Sequence, residues 1–296
     1  MNALPCVGIV GLGLMGQAFA QRLLAAGYPV LGHDVRPTPN LPPGLTRMES
    51  LADMVNQVEL VLLAVFDTAQ VATVVCGPQG LLALSSARPT VLCCSTCDPD
   101  GLAAVAHQAQ QQGMPFVELP FSGTSFQVAR GEGVGLMGGD GAVIERWAPV
   151  LDVLCPRREH VGGFGDANRT KLAVNLVLGL HRAALAEGLM FGRRMGLDPA
   201  KLLHTLQNSA AASSVMGVKG RLMVERCYEP PQSRVDQSLK DFKLIADLGA
   251  QRGQPLPLAD VYIDLLQDCA RRGESHLDNA IIQEAIARLG TQETPC

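Results

Sequence analysis

The 296-residue sequence has little of what marks a membrane protein, an exported protein or a nucleic-acid-binding protein. No stretch approaches about 18 uninterrupted apolar residues, which predicts that the chain does not span a membrane. The start, Met1-Asn2-Ala3-Leu4, carries no basic residue, which predicts no signal peptide and a cytoplasmic protein. The net charge is −4 and no basic stripe is visible, so we expect no nucleic-acid partner.

The cysteines lack the spacing of a disulfide framework or of a zinc site. Their number, nine, is odd, and in a chain without an export signal free buried thiols are the expected state. The group Cys93-Cys94-Ser95-Thr96-Cys97 suggests a metal site, but no second Cys or His pair with zinc spacing accompanies it. We therefore predict no metal ion and place this group at the end of a strand.

A glycine-rich turn is the most informative feature that is present. Gly11-Leu12-Gly13-Leu14-Met15-Gly16 lies between a short apolar run and a stretch of good helix formers. In this setting Gly11 permits a tight turn, Gly13 lets the backbone approach a pyrophosphate, and Gly16 lets helix and strand pack closely. The turn therefore predicts dinucleotide binding through residues 11–16, with a glycine-rich turn that binds nothing as the alternative.

The first half of the chain alternates short apolar runs with helix-like stretches, which predicts βαβ units and a parallel, doubly wound sheet. With 47% hydrophobic and 18% charged residues, the chain can bury a large core, and its length suits two domains. The predicted strands are 7–10, 30–33, 60–64, 90–93, 116–119, 133–137 and 159–162, and the predicted helices are 17–26, 68–75, 101–111 and 142–150.

The second half is predicted to be helical. Residues 166–195 contain no proline and have apolar residues at helical spacing, and such a helix would span ~45 Å at ~1.5 Å per residue. We interpret it as a spine that joins two domains. Asp198-Pro199 predicts the start of the next helix, with Asp198 as its N-cap and Pro199 at its first position. The prediction is an α/β fold: a Rossmann-type dinucleotide-binding domain over 1–164, followed by an all-helical domain over 165–296 for substrate binding and oligomerisation.

The choice of dinucleotide depends on residues at the end of the second predicted strand. A carboxylate at Asp34 can accept hydrogen bonds from the adenosine ribose and would repel a 2′-phosphate, which favours NAD. Arg36 could accommodate that phosphate, so NADP stays an alternative, and Val35 lies between the two. A carboxylate that only caps the strand end is the other interpretation of Asp34.

A loop after a predicted strand carries polar residues that suit a small carboxylate, and a later segment carries a Lys-Asp pair. Ser122-Gly123-Thr124 follows a predicted strand and offers backbone amides and two hydroxyls, although an ordinary turn explains it more simply. Lys240-Asp241 lies in a segment that also fits a charged helix face.

The long predicted helix carries a third candidate pair. Lys171 and Asn175, at i and i+4, share one face of the helix. Gly179 continues that face without a side chain, which predicts room for a ligand. A solvated surface pair is the alternative.

Taken in order, these stretches resemble the β-hydroxyacid dehydrogenases, the family that contains 3-hydroxyisobutyrate dehydrogenase and tartronate semialdehyde reductase. The resemblance covers essentially the whole chain. It rests on Gly-Leu-Gly-x-Met-Gly at 11–16, Ser95-Thr96 after the fourth strand, Ser122-Gly123, Lys171-x-x-x-Asn175 and Lys240-Asp241.

The resemblance implies an NAD(P)-dependent oxidoreductase that transfers a hydride between a small 3-hydroxy acid and its semialdehyde or 3-oxo acid. Lys171 matches the general acid/base of the family, and Ser122 and Gly123 match residues that hold the substrate carboxylate. The resemblance also implies a homodimer or homotetramer. The remaining matched positions are Asn175 for orienting the substrate, Val65, Phe66 and Thr96 for lining the cofactor, and Lys240 near the nicotinamide.

Four positions depart from the family pattern. Thr124 stands where a second glycine is usual, so its side chain is expected to change the substrate pocket. Cys93 and Glu118 each replace a frequent Asp, and Val174 stands where many relatives carry a second Asn. These departures leave the identity of the substrate open more than the type of reaction.

Three other functions are alternatives. Imine reductases are related enzymes, but they generally lack the lysine base and the carboxylate loop. The presence of Lys171 and Ser122 therefore argues against this function. Oxidative decarboxylases of phosphorylated sugar acids usually carry a much larger helical domain. A non-catalytic dinucleotide-binding scaffold is the alternative from another class, and such relatives tend to lose the lysine.

Overall fold

The computed structural model describes residues 4–290, and the chain divides into two compact units, with the boundary between Lys171 and Leu172. We call residues 4–171 the first unit and 172–290 the second unit. The predicted boundary lay at 164/165. The difference assigns the first turns of the long helix, with Lys171 on them, to the first unit.

The first unit is an α/β structure built on one mixed sheet. Its elements in chain order are β1 (Val7–Val10), α1 (Leu14–Ala25), β2 (Val30–His33), β3 (Thr46–Arg47), α2 (Leu51–Val55), β4 (Leu60–Leu63), α3 (Thr68–Cys76), α4 (Leu81–Leu84), β5 (Thr90–Cys93), α5 (Pro99–Gln111), β6 (Phe116–Glu118), β7 (Phe121–Ser122), α6 (Ser125–Ala129), β8 (Val134–Gly139), α7 (Gly141–Arg146), α8 (Ala148–Leu154) and β9 (Arg157–Gly162).

The strand order is β3-β2-β1-β4-β5-β6-β8, with β7 and β9 also paired to β8. The strands from β1 to β6 run parallel, and Val7 lies level with Val30 on one side and Leu60 on the other. β8 runs antiparallel to β6, whereas the sequence predicted a parallel sheet. The carboxyl ends of the parallel strands therefore meet at one edge of the sheet, where ligands bind in open α/β folds.

Two apolar clusters cover the two faces of the sheet. Successive residues of a strand point to opposite faces, so Leu60 and Leu62 enter one cluster while Val61 and Leu63 enter the other. All four residues of β4 are buried. Continuous burial of this kind is typical of parallel strands with helices on both sides.

The shortest elements are not predicted by the sequence, and one predicted helix is two helices in the structure. The elements without a prediction have two to five residues each, too few to show a hydrophobic period: β3, β7, α2, α4 and α6. The predicted helix 142–150 is two helices that meet at Trp147. Pro149 lies in the first turn of α8 and has no N–H with which to continue the preceding helix.

The second unit is helical. Helix α9 (Asp166–Arg194) starts in the first unit and continues through the second, and it is followed by α10 (Pro199–Gln207), α11 (Ser214–Glu225), α12 (Val235–Gln251), α13 (Pro257–Arg271), a 3-10 turn (Asn279–Ile281) and α14 (Ile282–Leu289). The predicted start of α10 is confirmed: Asp198 caps it by accepting a hydrogen bond from the Lys201 amide at 2.8 Å, and Pro199 is its first residue.

Helix α9 has the length and composition of a membrane span, the one such helix among residues 4–290. Core helices of proteins that never enter a membrane meet the same criterion. Leu172, Leu185 and Leu189 on this helix are buried in the apolar cluster of the second unit, so part of its apolar surface is used for packing.

The cysteines of the described chain are free thiols, five of them buried, and Cys296 lies outside the described residues. Within residues 4–290, no group of three or more His, Cys, Asp or Glu side chains is placed to hold a metal ion. The group at 93–97 follows β5, as predicted.

Raising the pH above about 9 is expected to lower the free energy of unfolding. Burial raises the pKa of Cys94 and raises those of Cys155 and Cys269 from 9.0 to about 12. Above pH 9 the unfolded chain loses these protons while the folded chain keeps them, so each thiol lowers the unfolding free energy by up to about 1.4 kcal/mol per pH unit. Lys219, whose pKa burial lowers to about 8, opposes this trend with a single group.

Urea denaturation at pH 8 and pH 10 measures this effect. The unfolding free energy should be smaller at pH 10, and the pH dependence should be weaker in Cys155→Ala than in the unmodified protein. Equal unfolding free energies at the two pH values would contradict the assignment.

Candidate active site

The glycine turn connects β1 to α1 at the carboxyl edge of the sheet. Gly11 has φ +93°, in the left-handed region, and a Cβ there would overlap the carbonyl oxygen of Ala64. A Cβ on Gly16 would overlap the carbonyl oxygen of Gly11. Gly13 is exposed, with no atom within 4 Å of a Cβ position. Larger residues are thus excluded at Gly11 and Gly16, while the backbone at Gly13 is open to a ligand.

The start of α1 suits an anion. Among the described residues no side chain caps this helix, whose N-cap is Gly13, and its first turn contains no acidic residue. Its first amides, at Leu14, Met15 and Gly16, have no partner within the helix, because the first N–H groups of any helix lack one. A phosphate group would satisfy these donors and interact favourably with the helix dipole. The turn therefore fits the pyrophosphate of a dinucleotide.

Asp34 follows β2 beside this turn. Its carboxylate accepts hydrogen bonds from the Leu12 amide and the Arg36 amide, each at 2.8 Å. The Arg36 guanidinium is 3.9 Å from the same carboxylate, and Val35 is strongly exposed. Arg47, which the sequence reading did not single out, donates to the carbonyl oxygens of Asp34 and Arg36 at 3.3 and 3.0 Å. One carboxylate and two guanidinium groups therefore lie together at this strand end.

The loops after β4 and β5 are bonded to each other. The hydroxyl of Ser95 donates to the carbonyl oxygen of Val65 at 2.8 Å and accepts from the Val65 amide at 3.0 Å. The side chain of Gln70 accepts from the Phe66 amide at 2.9 Å. Ser95 and Gln70 therefore fix the backbone of two predicted cofactor-lining residues, Val65 and Phe66, and a third, Thr96, directly follows Ser95 in the chain.

Ser122 and Gly123 lie where β7 leads into α6. Ser122 is half-buried, and Gly123 has φ +145°. Thr124, predicted to contact substrate, is the N-cap of α6: its hydroxyl accepts from the Gln127 amide at 3.3 Å, and its own amide donates to the Gln127 side chain at 2.9 Å. Thr124 therefore stabilises the start of α6 through a capping box, a role that was not predicted from the sequence.

Lys171 lies in the first two turns of α9 and is 7% exposed. The start of this helix is held by Glu118, at the end of β6, and by Asn168, both fully buried. The Glu118 carboxylate accepts hydrogen bonds from the amides of Gly165 and Asn168 and from the Asn168 side chain. The lysine therefore projects from a helical turn whose start is fixed to the sheet.

Asn175 and Lys240 are brought together by Asp241. The Asn175 amide nitrogen donates to Asp241 Oδ2 at 2.8 Å, and Lys240 Nζ is 2.9 Å from Asp241 Oδ1. A carboxylate accepts hydrogen bonds only, so the Asn175 side chain must turn its nitrogen toward Asp241. The Asn175 carbonyl oxygen takes no part in this bond.

The expected space beside Gly179 is absent, so this prediction is wrong. A Cβ on Gly179 would overlap the ring of Phe242 and lie 2.9 Å from Tyr262 Cε1. The two rings pack against each other with centroids 4.4 Å apart. The missing side chain makes room for these rings and not for a ligand.

Gly179→Ala is expected to destabilise the second unit by roughly 1–3 kcal/mol, because the added methyl group forces two packed aromatic rings to move. Gly188→Ala is the matched control in the same helix. No atom lies within 4 Å of its Cβ position, so it should stabilise by about 0.5–1 kcal/mol. Thermal unfolding of both variants measures the difference, and equal effects would contradict the packing role.

Most of the predicted residues of the first unit lie along one edge of the sheet. Residues 11–16 follow β1, Asp34 follows β2, Val65 follows β4 and Thr96 follows β5. The residues that the sequence did not predict for the site are those that bind its backbone groups, such as Arg47, Gln70 and Asn168. Ser95 has the same role, and the sequence indicated it through the Ser95-Thr96 motif.

An α/β unit with a glycine turn that no side chain caps and with the buried Lys171 near its end, followed by a helical unit, is typical of dinucleotide-dependent oxidoreductases. Two family models match the chain. Residues 6–162 match the NAD binding domain of 6-phosphogluconate dehydrogenase, and residues 165–286 match the model described as NAD-binding of NADP-dependent 3-hydroxyisobutyrate dehydrogenase. The chain belongs to the β-hydroxyacid dehydrogenase family, as its motifs predicted.

The chain is similar to individual members of this family over nearly its whole length. It is 28% identical over 97% of its length to 2-hydroxy-3-oxopropionate reductase of Escherichia coli, covering 99% of that protein. It is 31% identical to a probable 3-hydroxyisobutyrate dehydrogenase-like protein of Arabidopsis thaliana, over 96% of this chain and 94% of that one. The crystal structure of 3-hydroxyisobutyrate dehydrogenase from Salmonella typhimurium superimposes with a TM-score of 0.85 at 27% identity, over 94% of this chain and 99% of that one. The predicted fold class is confirmed.

Proposed function

We propose that this oxidoreductase interconverts a small 3-hydroxy acid and the corresponding semialdehyde or 3-oxo acid, with Lys171 as the general acid/base. The observation that carries the proposal is the placement of Lys171. It is almost fully buried, and it lies in the same compact unit as the dinucleotide turn. A buried amine on a fixed helical turn can hold or release a proton at a defined position.

The proposed chemistry divides the reaction between a hydride and a proton. A bound nicotinamide ring would supply the hydride-transfer chemistry at C3 of the substrate. In the oxidation direction neutral Lys171 removes the proton of the 3-hydroxyl group, and in the reduction direction the ammonium form donates it. An ordinary lysine has a pKa near ~10.4, so a base that acts at neutral pH must be held in its neutral form by its surroundings.

The other roles follow the matched positions. Ser122 and the Gly123 amide are proposed to hold the substrate carboxylate, and Asn175 to orient the substrate through its carbonyl oxygen. Lys240 is proposed to lie near the nicotinamide, next to Asp241. Thr124 is proposed to contact substrate only with atoms that its capping role leaves available.

NAD is the proposed dinucleotide, because the Asp34 carboxylate lies where a 2′-phosphate would have to approach. NADP is kept as the alternative because Arg36 and Arg47 lie at the same strand end. Dissociation constants for NADH and NADPH, measured by fluorescence, separate the two. In Asp34→Ala the preference for NADH over NADPH should fall by roughly tenfold, because the carboxylate that repels the 2′-phosphate of NADPH is removed.

We also propose a cytoplasmic homodimer or homotetramer with no membrane or nucleic-acid partner. Large apolar side chains on the described surface support self-association. The most exposed of these on the second unit are Phe191, Met195, Leu258, Val261 and Leu289.

The test of the function is a panel of small 3-hydroxy acids and 3-oxo acids, assayed with NAD(H) and NADP(H) by absorbance of the reduced cofactor. Turnover of at least one acid is expected. Tight dinucleotide binding with no turnover of any acid would overturn the enzymatic proposal and favour the non-catalytic scaffold.

A further inference from the structure

A buried polar cluster links three segments of the first unit. Its centre is Glu118, which is fully buried at the end of β6. Asn168, also fully buried, donates to the Glu118 carboxylate from its backbone amide and from its side chain, each at 3.1 Å. The Gly165 amide donates to the other carboxylate oxygen. A carboxylate from a distant strand thus does the work of an N-cap for α9.

The same cluster reaches the loop after β5. Asn168 Oδ1 accepts a hydrogen bond from the Cys97 amide at 2.8 Å. The side chain of Asn168 must donate to Glu118 with its nitrogen, so its oxygen can only point toward Cys97. Cys97 directly follows Thr96, which is matched to the cofactor. The amide of Asn168 therefore joins the cofactor-lining loop to the first turn of α9.

This arrangement is more than an ordinary helix cap. Lys171 follows Asn168 by three residues, so the two lie one above the other on the same helix face. A cap that served only the helix could be a local Ser or Asp, as Asp198 is for α10. Here the cap is the buried Glu118 carboxylate from β6, and the Asn168 side chain also accepts from the Cys97 amide. With water excluded, each unpaired donor or acceptor in this cluster would be costly. The helix start has one well-defined position.

We propose that Glu118 and Asn168 are positioning residues that fix the Lys171 amine relative to the cofactor-lining loop at Thr96-Cys97. The proposal rests on the function proposed for Lys171. A displacement of about 1 Å at a reacting group can lower a rate by about 100-fold. The cluster is expected to act on the chemical step, because none of its atoms is needed to bind the substrate carboxylate or the dinucleotide phosphates.

Two variants test the proposal. Asn168→Ala removes both side-chain bonds. Glu118→Gln keeps the shape but replaces one acceptor oxygen with a donor, so at least one of the three N–H donors loses its partner. Asp140→Ala is the matched control, because it removes the N-cap of α7 in the same unit, where Asp140 Oδ1 accepts from the Ala142 amide at 2.8 Å.

Four quantities are measured for each variant. They are kcat and KM for the best acid, the dissociation constant of the reduced cofactor, and the rate at which an amine-reactive reagent labels Lys171, read by mass spectrometry relative to exposed Lys201. In the two cluster variants kcat is expected to fall roughly 10- to 100-fold. KM and the cofactor dissociation constant should change by less than about threefold. Labelling of Lys171 should rise severalfold, and Asp140→Ala should leave all four quantities unchanged.

The outcomes separate the two proposals. If the unmodified protein turns over no acid but Lys171 labelling rises in the cluster variants, the proposed function fails and the positioning of Lys171 stands. Unchanged labelling together with kcat within about twofold of the unmodified protein would overturn the positioning role. Loss of cooperative unfolding in both cluster variants would also overturn it, because the cluster would then serve only the folding of the first unit.

Discussion

Replacing Lys171 with alanine is expected to lower kcat roughly 1000-fold, because general acid–base catalysis contributes about 100- to 10,000-fold. The substitution removes the amine that exchanges the substrate proton and leaves the dinucleotide turn intact. The dissociation constant of the reduced cofactor should therefore stay within about twofold. Steady-state kinetics in both directions, together with cofactor fluorescence, measure the two effects.

Two controls make the Lys171 result specific. Lys201→Ala removes an exposed lysine from the second unit and should keep full activity. A small primary amine added to the assay should raise kcat of Lys171→Ala and leave the unmodified protein unchanged. Near-normal turnover by Lys171→Ala on its best substrate would rule out this residue as the general acid/base.

Replacing Lys219 with methionine is expected to destabilise the second unit by about 3–5 kcal/mol, which is typical when one partner of a buried ion pair is removed. Lys219 on α11 and Asp278 are both buried, with Nζ 2.8 and 2.7 Å from the two carboxylate oxygens. Burial lowers the pKa of Lys219 to about 8 despite the attraction of Asp278. The cost of removing the Lys219 charge from water therefore exceeds the attraction of Asp278, so the ion pair by itself does not raise the unfolding free energy.

Asp278 explains why the loss should still be large. Its carboxylate also accepts hydrogen bonds from the backbone amides of Gln232, Ser233 and Ala280, so it cannot turn away to find another partner. Without Lys219 a negative charge stays buried without its counter-ion. Urea denaturation measures the change in unfolding free energy. Lys201→Met is the matched control, expected to stay within about 0.5 kcal/mol, and a similarly small loss for Lys219→Met would contradict the assignment.

Within the active site, sequence reasoning identified the groups expected to meet ligands better than the groups that hold them. The glycine turn, Asp34 and Lys171 each stand in a motif with fixed spacing. Their partners do not: Asn168 lies 50 positions from Glu118, and Asn175 lies 66 positions from Asp241. Thr124 was predicted to contact substrate, and the structure shows that it caps α6.

The sequence by itself determined the α/β and helical halves, the bounds of β1, β2 and β5, the start of α10 and the family. These features depend on local periodicity, capping residues and motif spacing, all of which can be recognised in the amino-acid sequence. Only the tertiary structure decided that β8 runs antiparallel to β6 and that the rings of Phe242 and Tyr262 occupy the space beside Gly179. It also decided that Glu118 and Lys219 are buried together with their partners. Such contacts join residues distant in sequence, and a buried charge looks like a surface charge until its partner is known.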